Sequence, residues 1–190
     1  MDEKHLKLIQ DQQSRAAEIA KQIHLKEIFD VQKDFVQINY TLENLNTEDI
    51  FVLDHILCFA DKEGFTTAKS AAIQIQDKDF NDNLNILKGY VSAPYSDVST
   101  QILPAARILK AKSSIEGSCI IKLPLNEWHP NEGVLKIKKQ PRKLLLQVGI
   151  LPNFCELTTI TLEDNSICEI PKSSEAYLYQ QWIKGSLKKI

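Results

Sequence analysis

Polar and apolar positions change period several times along this chain. From Asp2 to about Lys33 no Gly or Pro intervenes, and Gln, Lys, Glu and Ala dominate. Ala16, Ile19, Ala20 and Ile23 recur at the i, i+3, i+4, i+7 spacing of one helical face, while the opening turns offer only Leu6, Leu8 and Ile9 among charges and glutamines. The spacing predicts one helix over this stretch that docks by its C-terminal turns. After Asp34 the period becomes two. Val36, Ile38, Tyr40 and Leu42 alternate with Gln37, Asn39 and Thr41, which predicts a strand with one buried face.

The next segment admits two readings. Ile50, Leu53, Leu57 and Ala60 make a helical stripe, with Asn46 or Thr47 placed to cap it and Gly64 to close it. The run from Ile50 to Phe59 is also almost unbroken in its apolar character, so a buried strand with a helix starting near Asp61 is the alternative. The helical reading is preferred here. Phe65 to Gln76 opens as a short helix, followed by loop-like DKDFNDNLN. Val98, Ile102, Ala105, Ile108 and Leu109 predict a further helix, capped by Ser96 or Asp97 or, because Pro104 would break its interior, starting near Leu103 with Pro104 at its first position.

Beyond residue 117 the runs shorten. Ser118–Leu123, Val134–Lys139, Lys143–Ile150, Glu156–Leu162 and Ile167–Ile170 are β-prone and closely spaced, which favours an antiparallel meander. A final segment, SSEAYLYQQWIKGSLKK, reads as an amphipathic helix capped by Ser173 or Ser174 that turns Leu178 and Trp182 toward the body. The fold class expected is α+β: an N-terminal helix and helical first half, a mainly antiparallel sheet in the C-terminal half, and a closing C-terminal helix. Residues 1–34 form the N-terminal helix and 35–190 a single α+β domain, with a weak boundary near 76–85.

Composition narrows the class without naming a function. With 43% hydrophobic and 25% charged residues the chain has the balance of a globular protein. It lacks a run of about 18 apolar residues, and MDEKHLKLIQDQQ is too polar for a signal peptide, so the expectation is a cytoplasmic protein with no membrane span. Cys58, Cys119, Cys155 and Cys168 are too far apart for a CxxC motif and are expected as small buried hydrophobes.

Chemical motifs are scarce. The six glycines are isolated, so neither GxGxxG nor GxxxxGK[ST] occurs, and the serines lack a GxSxG elbow. His55 and Cys58 would share a helix face, but two ligands do not make a zinc site. Neither Cys58 with His55 nor Cys119 with His129 has the surroundings of an activated thiolate. Asp77, Asp79 and Asp82 cluster without the glycine and twelfth-position glutamate of a calcium loop. No cofactor, metal ligand set or catalytic residue is nominated, and the chain reads as non-enzymatic.

Charge changes the picture most. Residues 1–104 carry net −7, residues 105–145 net +6 and residues 146–190 net −1, so the overall −2 is a cancellation. The stretch GVLKIKKQPRKLLLQVG reads as a hairpin whose lysines occupy its wet face. Arg107, Lys110, Lys112, Lys122, Lys136, Lys138, Lys139, Arg142 and Lys143 would form a phosphate-binding surface for nucleic acid if they met on one face. Ile19, Ile23, Trp128 and Tyr179 are candidate anchors for a protein partner or for self-association. The leading expectation is a protein-binding or assembly protein that uses its N-terminal helix and segregated charge; the alternative is a nucleic-acid-associated domain using residues 107–143.

Overall fold

The computed structural model describes residues 3–60, 64–68, 72–76, 82–91, 102–129, 133–137, 140–162 and 164–190. Helix α1, Glu3–Ala20, stops where the helical period gives way to alternation. In β1, Ile23–Val31, the side chains of Ile23, Leu25 and Phe29 join the main core while His24, Lys26, Ile28 and Asp30 stay exposed. The single long helix expected to residue 33 is thereby corrected: a period of two begins at Ile23. Ala16, Ile19 and Ala20 do dock, as the stripe implied. Strand β2, Phe35–Asn44, then follows its alternation, with Val36, Ile38, Tyr40 and Leu42 all buried.

β3 spans Ile50–Ala60 and replaces the expected helix. The physical reason is burial on both faces. Ile50 and Val52 enter the main core, while Phe51 and Leu53 pack into a second cluster with Leu151, Cys155 and Ala176. A strand covered on both sides has a continuous apolar run, which local spacing cannot distinguish from a helix. Asn46 caps no helix: its side chain bonds Asn44 Oδ1 at 3.0 Å and the Ile19 carbonyl at 3.1 Å. The face on which His55 and Cys58 would have met as helical neighbours does not exist.

Next come β4 (Gly64–Ala68), β5 (Ile73–Gln76), β6 (Asn83–Lys88) and β7 (Ile102–Leu109). β7 overturns another helical expectation, because Leu109 is fully buried and its neighbour Ile108 is 42% exposed, the alternation of a strand. The predicted caps Ser96 and Asp97 lie outside the described residues, as do Asp77 and Asp79 of the proposed boundary loop. The remaining strands are β8 (Ser114–Lys122), β9 (Asn126–His129), β10 (Gly133–Lys136), β11 (Lys143–Pro152), β12 (Leu157–Thr161) and β13 (Ile167–Pro171). The closing helix is likewise corrected. Ser173 does cap a turn, accepting from the Glu175 N–H, but the turn is a 3-10 helix, Ser174–Tyr179, followed by β14 (Gln181–Lys184) and β15 (Lys188–Lys189).

The architecture is mostly β and not α+β with a helical first half. A three-stranded antiparallel sheet, β1-β2-β8, faces a ten-stranded mixed sheet in the order β12-β13-β7-β3-β11-β6-β5. β14 and β15 also pair with β11, and β4 pairs with β3. Side chains from both sheets, including Ile38 and Leu42 on one and Leu84, Ile86, Leu144 and Leu146 on the other, form the main core. The sequence 133–149 is not a hairpin: β10 pairs with β9, whereas β11 pairs in parallel with β6 and antiparallel with β3, β14 and β15. β14 lies opposite β6 at Gln147 and Val148, and opposite β3 at Ile150. β6 and β3 therefore follow one another along the same edge of β11, leaving a junction between Lys88 and Asp54. Among the described residues no helix is long and apolar enough to cross a membrane.

Candidate functional site

The β6–β3 junction holds the most concentrated polar chemistry of the sandwich interior. β6 turns Leu84, Ile86 and Lys88 inward, so alternation alone delivers a lysine to the core. A bulge in β3 between Val52 and His55 accompanies the placement of Asp54, which is 1% exposed. Arg107 comes from β7, and Tyr40 reaches down from the facing sheet.

These groups are tightly bonded. Asp54 Oδ1 accepts from Arg107 Nε at 2.8 Å, and Oδ2 accepts from the Tyr40 hydroxyl at 2.9 Å and from Arg107 Nη2. Arg107 Nη2 also donates to the Glu116 carbonyl at 3.0 Å, and Lys88 Nζ to the Ser118 carbonyl at 3.1 Å. The Lys88 ammonium stands 5.9 Å from the centre of the Tyr40 ring. Burial raises the Tyr40 phenol, and the Asp54 carboxylate adds to that rise. Burial also pushes the Cys119 thiol up to about 11, against the pull of Lys88. A cavity of about 210 Å³ opens beside Asp54, Lys88 and Arg107, with His55 and residues 116–118 on its other walls.

Burial lowers the Lys88 pKa, while Cys119 and Asp54 oppose the shift. A base with a lowered folded-state value releases its proton sooner in the fold than in the unfolded chain. Unfolding then takes up a proton, and this contribution to stability rises with pH until the ordinary lysine value of 10.5 is reached. Lys88→Met removes that slope, so its stability advantage over the parent shrinks, or its deficit grows, between about pH 7 and pH 10. Urea titrations of both proteins across that range check it. A constant difference would mean that Lys88 ionises as it would in water.

A second site lies on the opposite face of the large sheet. Asn85 and Leu87 of β6, Gln147 of β11 and Trp182 of β14 floor a groove of about 610 Å³, with Tyr90, Tyr177, Leu178 and Gln180 along its side. Tyr90 and Tyr177 stack at 3.9 Å with rings 8° apart. The Gln180 side chain fixes the Tyr90 backbone, accepting from its N–H at 2.8 Å and donating to its carbonyl at 3.0 Å. Trp182 fits because Gly89 lacks a side chain: a Cβ there would lie 2.8 Å from the Trp182 ring, while a Cβ on Gly149 would instead meet Gln180 Oε1 at 3.0 Å. Gln147 Nε2 donates to Asn85 Oδ1 at 3.1 Å. Gln147 Oε1 and Asn85 Nδ2 remain, among the described residues, as an adjacent acceptor and donor.

The basic residues named from sequence are spread over the molecule. Arg107 is held by Asp54, Lys110 pairs with Asp49 at 2.8 Å, and Lys112 donates to the Leu45 carbonyl at 2.5 Å. Lys110 and Lys112 sit in the β7–β8 turn. Arg142 and Lys143 begin β11, whose ten residues span about 30 Å, and the far end of that strand pairs with β3 at Ile50, itself opposite Leu109. Lys122 lies with Arg142 and Lys143, because Gln140 clamps Leu125 through its N–H and carbonyl. Lys136 is exposed on β10, and Lys138 and Lys139 lie outside the described residues. The described basic residues thus divide between two ends of the sandwich.

Of the anchors named for a partner, Ile19 and Ile23 pack into the main core, and Tyr179 meets Phe154 edge to face at 5.4 Å. The side chain of Trp128 is outside the described set. Cys119 and Cys155 are buried and Cys168 half-buried. Among the described residues no three His, Cys, Asp or Glu side chains gather in a way that could hold a metal ion. Sequence reasoning missed Tyr40, Asp54 and Lys88 as one cluster; a carboxylate inside the apolar run Ile50–Phe59 was the available signal. No protein-family model matches the chain, and no curated protein matches it.

Proposed function

We propose that the chain is a non-enzymatic protein-binding module that takes an uncharged, extended peptide segment of its partner in the groove over β6, β11 and β14. The observation that carries this reading is the lining. Every described residue of it is neutral, in a chain of which 25% is charged. Such a wall leaves a ligand charge without a counter-ion and favours an uncharged segment. Ile75, Leu87, Val91 and Leu178 add aliphatic surface to the three aromatic rings, which suits apolar side chains better than a hydroxyl-rich ligand. The spare acceptor of Gln147 and donor of Asn85 match the alternating N–H and C=O groups of an extended backbone.

The N-terminal helix supports this reading from behind. Gln13 Nε2 donates to the Leu178 carbonyl at 3.2 Å, which ties α1 to the 3-10 helix at the groove's side. Segregated charge has a different use: Lys110 with Asp49 and Arg107 with Asp54 join the basic middle of the chain to its acidic first half across β7 and β3.

The test is selection from a random peptide display library on the purified chain, followed by affinity measurement on Leu178→Asp. Leu178 is 51% exposed, so the substitution places a charge at the groove without touching the core. Selected peptides are expected to be uncharged with apolar residues at alternate positions, and to lose at least tenfold in affinity on the variant. Peptides that bind parent and variant equally, or an oligonucleotide bound where no peptide is, would move the function elsewhere, the latter to the basic end around Arg142 and Lys143.

A further inference from the structure

The free edge of β8 has an asymmetry that backbone pairing alone does not produce. β8 pairs only with β2 among the described residues, so one side of the strand is without a neighbour. The Asn44 N–H donates to the Ser113 carbonyl at 2.9 Å, and the Leu123 N–H to the Asp34 carbonyl at 2.8 Å. These two bonds at the ends of the ladder fix its parity: odd-numbered residues of this segment face β2. In an antiparallel ladder the intervening residues direct both N–H and C=O to the other side. Glu116 and Ser118 therefore present both groups to the free edge.

Their acceptors are taken. Arg107 Nη2 donates to the Glu116 carbonyl and Lys88 Nζ to the Ser118 carbonyl. Their donors are not: among the described residues nothing accepts from the N–H of Glu116 or Ser118, or from Arg107 Nη1. Both oxygens of Asp54 are already engaged, by Arg107 and Tyr40. Among the described residues the cavity of about 210 Å³ along this edge therefore offers backbone donors beside carbonyls that are already engaged, and its inner walls carry Arg107 and Lys88 next to the Asp54 carboxylate. The Glu116 carboxylate belongs to the exposed side of the strand with Ser114 and Ser118, so Glu116 meets the edge through its backbone.

A further β-strand is the wrong complement for such an edge, since it would need the carbonyls that Arg107 and Lys88 occupy. A small group made only of acceptors is the right one. We infer that the free edge of β8 is a seat for a small oxyanion, a phosphoryl or carboxylate group, held by the Ser118 amide, which lies along the strand between the Glu116 and Ser118 carbonyls and so between Arg107 and Lys88. A backbone N–H at a sheet edge flanked by cationic side chains suits such a group. The seat is on the inner side of the large sheet, and the peptide groove is on its outer side, so the two stand or fall separately.

The experiment is a two-dimensional amide NMR titration of the full chain with inorganic phosphate, repeated with acetate and with sodium chloride at matched ionic strength. The expected result is a saturable downfield shift of the Ser118 amide proton with phosphate that chloride does not reproduce. The same shift with acetate extends the class to carboxylates, and its absence confines it to phosphoryl groups. Ser118→Pro deletes one donor at a position where no strand partner needs it, and lowers phosphate affinity roughly tenfold. Leu178→Asp leaves phosphate binding unchanged. Shifts that spread over the exposed lysines and arginines, or that chloride matches, overturn the proposal, as does an unmoved Ser118 amide in the parent protein, whatever the variant does.

Discussion

Arg107→Met is expected to destabilise the fold by about 3 kcal/mol, the lower end of the range for removing one partner of a buried ion pair. The Asp54 side chain is 2% exposed and that of Arg107 30%, so water can offset part of the loss on the arginine side only. The variant leaves the Asp54 carboxylate with the Tyr40 hydroxyl as its remaining donor among the described residues and strips the Glu116 carbonyl of its partner. Paired replacement is the control. Asp54→Leu together with Arg107→Met removes both charges and should recover most of the loss, because the penalty arises from the stranded carboxylate more than from the absent attraction. Guanidinium unfolding with a common slope would measure all three proteins. A cost within about 0.5 kcal/mol for Arg107→Met would assign the network no part in stability.

That pair also marks how far the sequence could be read. Alternation in β2 is visible in the sequence, and it identifies which side chains are buried, because a period of two is a local property. Partner choice is not local. Asp54 and Arg107 are 53 residues apart, and nothing near either says that β3 lies beside β7. Arg107 was therefore grouped with the other basic residues, when its half-buried place on β7 is matched to one carboxylate. The same limit explains 133–149: its β-prone halves are evident, but the partners of β11 come from residues 50–52, 83–88, 181–184 and 188–189, and no rule of adjacent pairing reaches them.

Where a strand is covered on both faces, even the element type is obscured. Ile50–Phe59 reads as a helix, since apolar residues at nearly every position satisfy a helical stripe as readily as a strand, and Ile102–Leu109 reads as one because its apolar residues also fit a helical spacing. The polar exceptions were more telling than the stripe. Asp54 interrupts the first run and Arg107 the second, and in the structure these two interruptions find each other. The charge segregation along the chain has the same origin in part: β3 is drawn from the acidic half, β7 from the basic middle, and the pairing of the two strands brings Asp49 to Lys110 as well. The groove was half legible. Trp182 stands out in the closing segment, but Asn85 and Gln147 become neighbours only through the parallel pairing of β6 with β11.

Gly117→Ala should cost about 3–5 kcal/mol, although strand propensity alone would favour the alanine. Gly117 lies directly opposite Tyr40 in the ladder, and its missing side chain is where the Tyr40 ring rests. A Cβ there would stand 2.3 Å from the ring carbon Cζ and from the hydroxyl oxygen. The ring cannot simply turn aside, because its hydroxyl is bonded to Asp54 and its face borders Lys88. Relief requires lifting the phenol, which combines an overpacking cost of about 1–3 kcal/mol with the loss of a hydrogen bond to a charged group, worth about 1.5–3 kcal/mol. Tyr40→Phe separates the two contributions by removing the bond while keeping the ring. In a Tyr40→Leu background Gly117→Ala should cost less than half as much, since the atoms it strikes are gone. An equal cost in both backgrounds, read from denaturant titrations, would place the requirement for glycine in the backbone of β8 and not in the seat it makes for Tyr40.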